Sequence, residues 1–279
     1  MRRLSWFNAT SLTLGFAFLY LPMLILILYS FNASKLVTVW AGFSTKWYGE
    51  LLQDEQILRA AWLSVRIAVM NATIAVCLGT LAGFVLARMG RFRGRLLLTG
   101  MTTAPLVMPE VITGLSLLLL FVALESMIGW PQGRGVTTIT IAHITFSMAY
   151  VAVIIQSRLS SVDESVEEAA LDLGARPAKV FFVITLPIIS PALVSGWLLA
   201  FTMSLDDLVI ASFVSGPGSS TLPMVIFSKV RLGVSPEINA LATIIVLLVA
   251  SGIVAAGMVM NQAEKRRQHD VQMAMAANK

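Results

Sequence analysis

Six apolar runs, each long enough to cross a bilayer, leave few folds open to this chain. A hydrocarbon core of about 30 Å takes about 20 apolar residues in helical form. Stretches 12–31, 61–87, 96–124, 136–157, 188–214 and 238–260 each meet that requirement. In lipid every backbone N–H and C=O must be satisfied internally, and long runs without strict alternation do so as helices. The expected fold class is therefore an all-α membrane protein with six transmembrane helices. Of the 279 residues, 57% are hydrophobic and 13% charged, against about 45–50% and about 25% in soluble domains. A soluble globular protein is excluded, because so few charges would leave large apolar patches in water.

The charged residues report topology. Lys and Arg number 20 against 15 Asp and Glu, a net charge of +5, but they sit between the apolar runs and not on one face, which argues against nucleic acid as a partner. Assigning alternate connections to opposite sides puts thirteen basic residues on one side and six on the other. The richer side includes Arg88, Arg91, Arg93 and Arg95 in eight residues. Positive charge is retained inside, so both termini are expected in the cytoplasm. Arg2 and Arg3 precede the first run, which exceeds the 7–15 residues of a signal-peptide core and lacks a small-residue cleavage site, so it reads as an uncleaved anchor. The single cysteine, Cys77, permits no intrachain disulfide and no Cys-based metal site. His143 lies in an apolar run and His269 in a polar tail, so the pair reads as a core and a tail histidine and not as metal ligands. With no internal repeat, the organisation expected is an anchor helix and periplasmic loop over 1–60, a transmembrane domain over 61–260 and a cytoplasmic tail over 261–279.

The connection over 158–187 is far longer than the 2–8 residues usual between packed helices, and so is expected to have structure and a task of its own. Ser161 and Glu164 have capping-box spacing, which predicts a helix start there. Val162, Val166, Ala169, Ala170 and Leu173 fall near one helical face. Asp163, Glu164, Glu167, Glu168 and Asp172 take the other, and Gly174 with Pro177 supplies the stop. An acidic amphipathic helix would be repelled by anionic lipid, so a groove on a protein partner is its expected destination.

Glu168-Ala169-Ala170, then Gly174 after three residues, Ile184 after nine more, and Leu186-Pro187 after one more, resembles the EAA loop of the permease subunits of bacterial ABC importers. The resemblance implies a type I importer permease fold. It also implies a cytoplasmic coupling helix that seats in a cleft of an ATPase, with Glu168, Ala169, Ala170 and Gly174 as the coupling residues. The runs 204–217 and 234–243, and the stretch from Tyr29 through Trp47 to Tyr48, are similar to the permeases of putrescine and spermidine importers. That likeness implies a second, homologous permease subunit, two ATPase copies that use ATP and Mg, and a periplasmic polyamine-binding protein. It also places the chain in the bacterial inner membrane. This chain has no phosphate-binding G-x-x-x-x-G-K-[ST] loop, so it is expected to bind no cofactor and to catalyse nothing itself.

Glu110, Asp206 and Asp207 lie within apolar runs, where a charge costs at least about 2.5–3.5 kcal/mol at mid-helix. At 1.5 Å per residue Glu110 lies about 21 Å, and Asp206 about 27 Å, from the cytoplasmic start of its run. Adjacent helical residues point about 100° apart, so Asp206 and Asp207 cannot share one narrow path unless the helix bends or ends there. The functional reading puts these carboxylates, with Trp197 and Phe201 as aromatic companions, along the path of a multiply charged cation. The competing structural reading has them satisfy backbone groups freed at breaks, as at Pro105 and Pro109 just before Glu110. Relatives commonly have aspartate where Glu110 stands. A proton-coupled transporter would use the same acids as relays, but no inverted repeat is visible. An intramembrane hydrolase would need a nucleophile and base in register: Ser204 and Asp206 lie on different faces, and the sequence identifies no serine partner for His143. The remaining alternative is a sister importer carrying another small solute.

Overall fold

The computed structural model describes residues 5–35, 39–233, 235–251, 254 and 258. Its helices, in order, are α1 (Trp6–Ser30), α2 (Lys46–Leu51), α3 (Glu55–Arg88), α4 (Arg95–Val107), α5 (Glu110–Ile128), α6 (Val136–Ser160), α7 (Ser165–Asp172), α8 (Pro177–Val180), α9 (Leu186–Ile188), α10 (Ser190–Asp206), α11 (Val209–Val214) and α12 (Leu222–Leu232), with a π-helical turn, Phe181–Thr185, between α8 and α9. A last helix, α13, runs Pro236–Ser251. Among the described residues there is no strand, only an isolated bridge between Asn32 and Phe43.

The six expected spans map onto these helices with two breaks and one bend. Helices α1, α3, α5 and α6 are long and apolar enough to cross a membrane, and 177–188 with 190–206 forms a fifth candidate bent by 72°. The run 96–124 is not one rod. Met108 takes the extended conformation, ψ 135°, that a following proline demands, so α4 stops and α5 restarts at Glu110. The run 188–214 breaks as well, at Asp207, whose ψ of 124° ends α10 before α11 begins. The sixth run, 238–260, is described through Ser251 as α13; the rest of it lies outside the described residues apart from 254 and 258. The terminal basic residues that enter the topology reading, Arg2, Arg3, Lys265, Arg266, Arg267 and Lys279, also lie outside them.

The chain divides into two compact units, 56–227 and the pair of segments 1–55 and 228–279. In the larger unit α3, α6 and α10 meet along a seam of small residues. Lipid offers no hydrophobic drive for helix association, so close packing and buried hydrogen bonds must supply it. A Cβ added at Gly83 would stand 2.7 Å from the Ala152 carbonyl oxygen and 3.0 Å from the Ile155 Cβ, and one at Gly79 would stand 2.7 Å from the Val151 Cβ. Ala72 and Ala75 continue this face, which buries Val151, Ile155 and Leu159. Asn71, fully buried, ties all three helices by donating to Ser147 Oγ at 3.1 Å and to the Ala200 carbonyl at 2.8 Å. A second cluster joins Phe121 of α5, Ile139 and Ala142 of α6, and Ile210, Ala211 and Val214 of α11.

In the other unit, Asn32 organises the segment after α1. Its side chain donates to the Val39 carbonyl at 2.7 Å and accepts from the Ala41 N–H at 2.9 Å, while its carbonyl accepts from the buried Trp47 Nε1 at 2.6 Å. Lys229 pairs with Asp54 and, at 3.7 Å, with Glu237.

The contacts at Gly83 yield an expected outcome. Gly83→Val forces backbone against backbone and should cost about 1–3 kcal/mol, seen as a lower Tm of the purified protein. Gly100→Ala, which meets open space, should leave Tm unchanged or raised, and equal effects of the two would sink this account of the seam.

Candidate functional site

The connection over 158–187 is built around one arginine. The helix start predicted at Ser161 is displaced: Ser161 Oγ donates back to the Arg158 carbonyl at 2.7 Å and so finishes α6. The turn into α7 is made instead by Asp163, whose carboxylate accepts the Ser165 N–H at 3.0 Å. That bond, with a second from the Ser165 hydroxyl, holds the Asp163 carboxyl below the usual carboxylate range. At the other end Gly174, at φ +82°, closes the rod as expected. Its N–H donates to the Leu171 carbonyl at 2.9 Å and the Ala175 N–H donates to the Ala170 carbonyl at 3.0 Å, a Schellman pair, before Pro177 opens α8.

Helix α7 is fastened to the bundle through two of its acids. Arg88, the last residue of α3, has a side chain only 8% exposed. It donates from Nε to Glu167 at 3.1 Å and from Nη1 to Glu164 at 3.0 Å and to the Leu159 carbonyl at 3.1 Å, with a longer bond from Nη2 to the Val162 carbonyl at 3.4 Å. The Thr185 hydroxyl donates to the other oxygen of Glu167 at 2.9 Å. Two of the connection's acids, Glu164 and Glu167, therefore turn to Arg88, while Asp163 and Asp172 stay exposed, and Val166, Leu171 and Leu173 are 49%, 43% and 90% exposed. Glu168 and Ala169 are exposed, Ala170 is half-buried, and Glu168 lines a groove of about 240 Å³ with Phe84, Leu171, Val180 and Phe181. Arg88 entered the sequence reading only as a topology marker. The signal for its second role is its place at the end of an apolar run, where an arginine without a carboxylate would be costly.

The membrane acids sit at the helix breaks. Glu110 is the first residue of α5, exposed, with Pro109 at the cap and no side-chain cap bond. It does not cap the restart; as an acid in the first turn it gains from the helix dipole. Asp206 and Asp207 part company because α10 ends between them. Asp206 is exposed, whereas Asp207 is 9% exposed and its carboxylate accepts the Ile210 N–H at 3.3 Å and the Ala211 N–H at 2.7 Å, capping α11. Helix α11 packs on α5 and α6. A Cβ at Gly114, one turn beyond Glu110, would stand 3.3 Å from the Ile210 Cα.

His143 is a core histidine, fully buried, but it has the serine partner that sequence reasoning failed to find. Its Nδ1 lies 2.7 Å from Ser204 Oγ and its Nε2 3.2 Å from Asp207. Ser, His and Asp in series do not make a hydrolase here: Ser204 is 4% exposed, which leaves no room for an acyl group at its Oγ, and Asp207 is committed to α11. Trp197 and Phe201 stack at 5.3 Å between ring centroids, and the Trp197 Nε1 donates to Thr73 on α3 at 3.2 Å. Both pack, partly buried, against the core shared by α3, α6 and α10.

Residues 79–269 match the model of the binding-protein-dependent transport system inner membrane component family. The putrescine transport system permease protein PotI of Escherichia coli strain K12 is 66% identical over 265 residues, 94% of each chain. The spermidine/putrescine transport system permease protein PotC of the same strain is 40% identical over 260 residues, 93% of this chain and 96% of that one. A bacterial ABC transporter involved in import of the acidic polysaccharide alginate shares the fold, with a TM-score of 0.69 at 17% identity over 91% of this chain and 94% of that one. The six-helix importer expectation thus meets both a sequence match across most of the chain and a matching architecture, and the chain belongs to the family of binding-protein-dependent transport system inner membrane components.

Proposed function

We propose that this chain is one of two homologous membrane subunits of an ATP-driven polyamine importer, with putrescine preferred to spermidine as substrate. Two cytoplasmic ATPase copies supply the work from ATP and Mg. A periplasmic polyamine-binding protein delivers the solute, both termini face the cytoplasm, and the complex lies in the bacterial inner membrane. The observation that carries the reading is α7: a short helix fixed to the bundle through Arg88 while its apolar side chains remain exposed, as a coupling element needs. Glu168, Ala169, Ala170 and Gly174 form the part that the ATPase contacts. The identity to permeases named for putrescine and spermidine supports the substrate class. So does the placing of Glu110 and Asp206 at helix breaks, exposed within otherwise apolar runs.

The mechanism is alternating access. Closure of the ATPases on ATP drives the paired coupling helices together, and Arg88 passes that displacement to α3 and α6. The bundle opens outward against the loaded binding protein, the ammonium groups leave water for carboxylates at the breaks, and hydrolysis returns the bundle to the inward state. The first test is uptake of labelled putrescine, with spermidine as competitor, in cells lacking this chain and again with it restored. Restored uptake that needs ATP and survives collapse of the proton gradient supports the reading. Uptake that follows the proton gradient overturns the ATP-driven mechanism, and no restoration overturns the substrate.

Two sets of variants examine the parts. Glu168→Gln or Gly174→Val should assemble normally yet lower the putrescine moved per ATP hydrolysed, roughly tenfold for Gly174→Val, because a β-carbon is strained at its φ. Arg88→Gln should do the same with a loss of stability of about 3–5 kcal/mol, the cost of stranding a buried charge. Arg88→Gln combined with Glu167→Gln should recover part of that stability, and a double variant worse than the single one would rule out the pairing as the cause. Asp206→Asn should cut putrescine uptake roughly tenfold at unchanged assembly; wild-type uptake would remove Asp206 from the path.

A further inference from the structure

We propose that His143 is a positioning residue for the solute path, holding the break in the fifth span so that Asp206 is presented to the passing cation. The inference rests on the reading of Asp206 as a carboxylate that meets the cation. His143 itself stands outside that path, on a different helix, with no exposure of its own.

A helix that stops inside a membrane domain frees carbonyls behind the break and N–H groups ahead of it, and each needs a partner. Ahead of the break, Asp207 answers for the Ile210 and Ala211 N–H groups. The Asp207 side chain is buried, and His143 Nε2 meets it from α6 at 3.2 Å. A carboxylate only accepts, so the ring donates from Nε2, and its Nδ1 meets the Ser204 hydroxyl at 2.7 Å. One imidazole therefore binds both sides of the break: Ser204 in the last turn of α10 and Asp207 at the start of the next element. Asp206 lies between the two fastened residues, and its side chain is the one left exposed.

The imidazole is itself held. Phe146 packs edge-on to it at 5.7 Å. Ser147, one turn along α6, is bound by Asn71, which also holds the Ala200 carbonyl one turn before Ser204. A polar seam thus runs from α3 through α6 to the break, and every contact that fixes the ring is buried. A site whose supporting groups are locked in this way keeps its exposed carboxylate within a narrow range of positions, and loosening the support costs function with the direct contact still present.

The test uses the complete transporter in liposomes, with its companion permease, ATPases and loaded binding protein at saturation. It reads labelled putrescine moved per ATP hydrolysed, which a defect of folding or assembly alone does not alter. Ser204→Ala, which removes one hydroxyl, and His143→Gln, which cannot serve both partners, should each lower that ratio roughly tenfold, and Ser204→Thr should restore it. Asp206→Asn should lower the ratio as well, and Ser204→Ala added to Asp206→Asn should lower it no further, since both act through one carboxylate. Effects that multiply in the double variant, or a wild-type ratio in Ser204→Ala and His143→Gln beside a lowered one in Asp206→Asn, overturn the positioning role and leave Asp206 on the path. A wild-type ratio in Asp206→Asn removes Asp206 from the path and the positioning role with it. Loss of assembled complex with an unchanged ratio in both His143→Gln and Ser204→Ala makes the network structural only and overturns the proposal.

Discussion

A guanidinium withdrawn from water at the end of α3 sets the architecture of the connection that follows α6. Arg88 cannot lose its charge, and at 8% exposure it must find acceptors within the protein. One is the Leu159 carbonyl at the end of α6, where the helix dipole is negative, another is the Val162 carbonyl just beyond it, and the others are Glu164 and Glu167. An eight-residue helix such as α7 has little stability of its own. Its shape comes from the Asp163 turn and the Schellman close at Gly174, and its orientation from the arginine. With Glu164 and Glu167 turned to the arginine, the short rod leaves Val166, Leu171 and Leu173 exposed.

The same trade between backbone and side chain governs the membrane breaks. Pro109 ends a helix by denying it conformational room, and Asp207 ends one by offering the next helix a better cap than the continuing chain would. Asp207 spends its carboxylate on that cap and on His143, so the two adjacent aspartates, alike in sequence, differ in what remains available. Because α11 packs on α5 and α6, the segment beyond the second break lies against the helix that begins at the first.

Much of this was legible in the sequence. The apolar runs gave the spans, proline spacing gave the break before Glu110, and Gly174 gave the end of α7, since each rests on chain-local chemistry. Helical geometry alone also showed that Asp206 and Asp207 could share one path only if the helix bent or ended there; the helix does end there, and the two side chains still diverge. What escaped were pairings between residues distant in sequence. The pattern of α7 names its two faces, and nothing near it reveals that Glu164 and Glu167 turn to Arg88, 79 residues before Glu167. The capping box at Ser161 failed for a related reason: α6 runs on to Ser160 and takes the hydroxyl for its own last turn. Ser204 and His143, 61 residues apart, belong to different spans whose facing sides no periodicity discloses.

The two polar networks are not independent, because α6 carries a member of each. His143 near its start binds the break at Asp207, and the Leu159 carbonyl near its end is held by Arg88. The two points are about 24 Å apart along one helix. Helix α6 contains no proline and is gripped along its length by the small residues of α3, so it moves as a body and does not absorb displacement by bending. A movement of α7 that turns α6 must then either carry the Asp207 break with it or rupture buried bonds to a carboxylate. Carrying it is the cheaper course, since a stranded buried carboxylate costs several kcal/mol. The acids that hold Arg88 and the acid at the break are in this way subject to one rigid element, although no residue of one network touches the other.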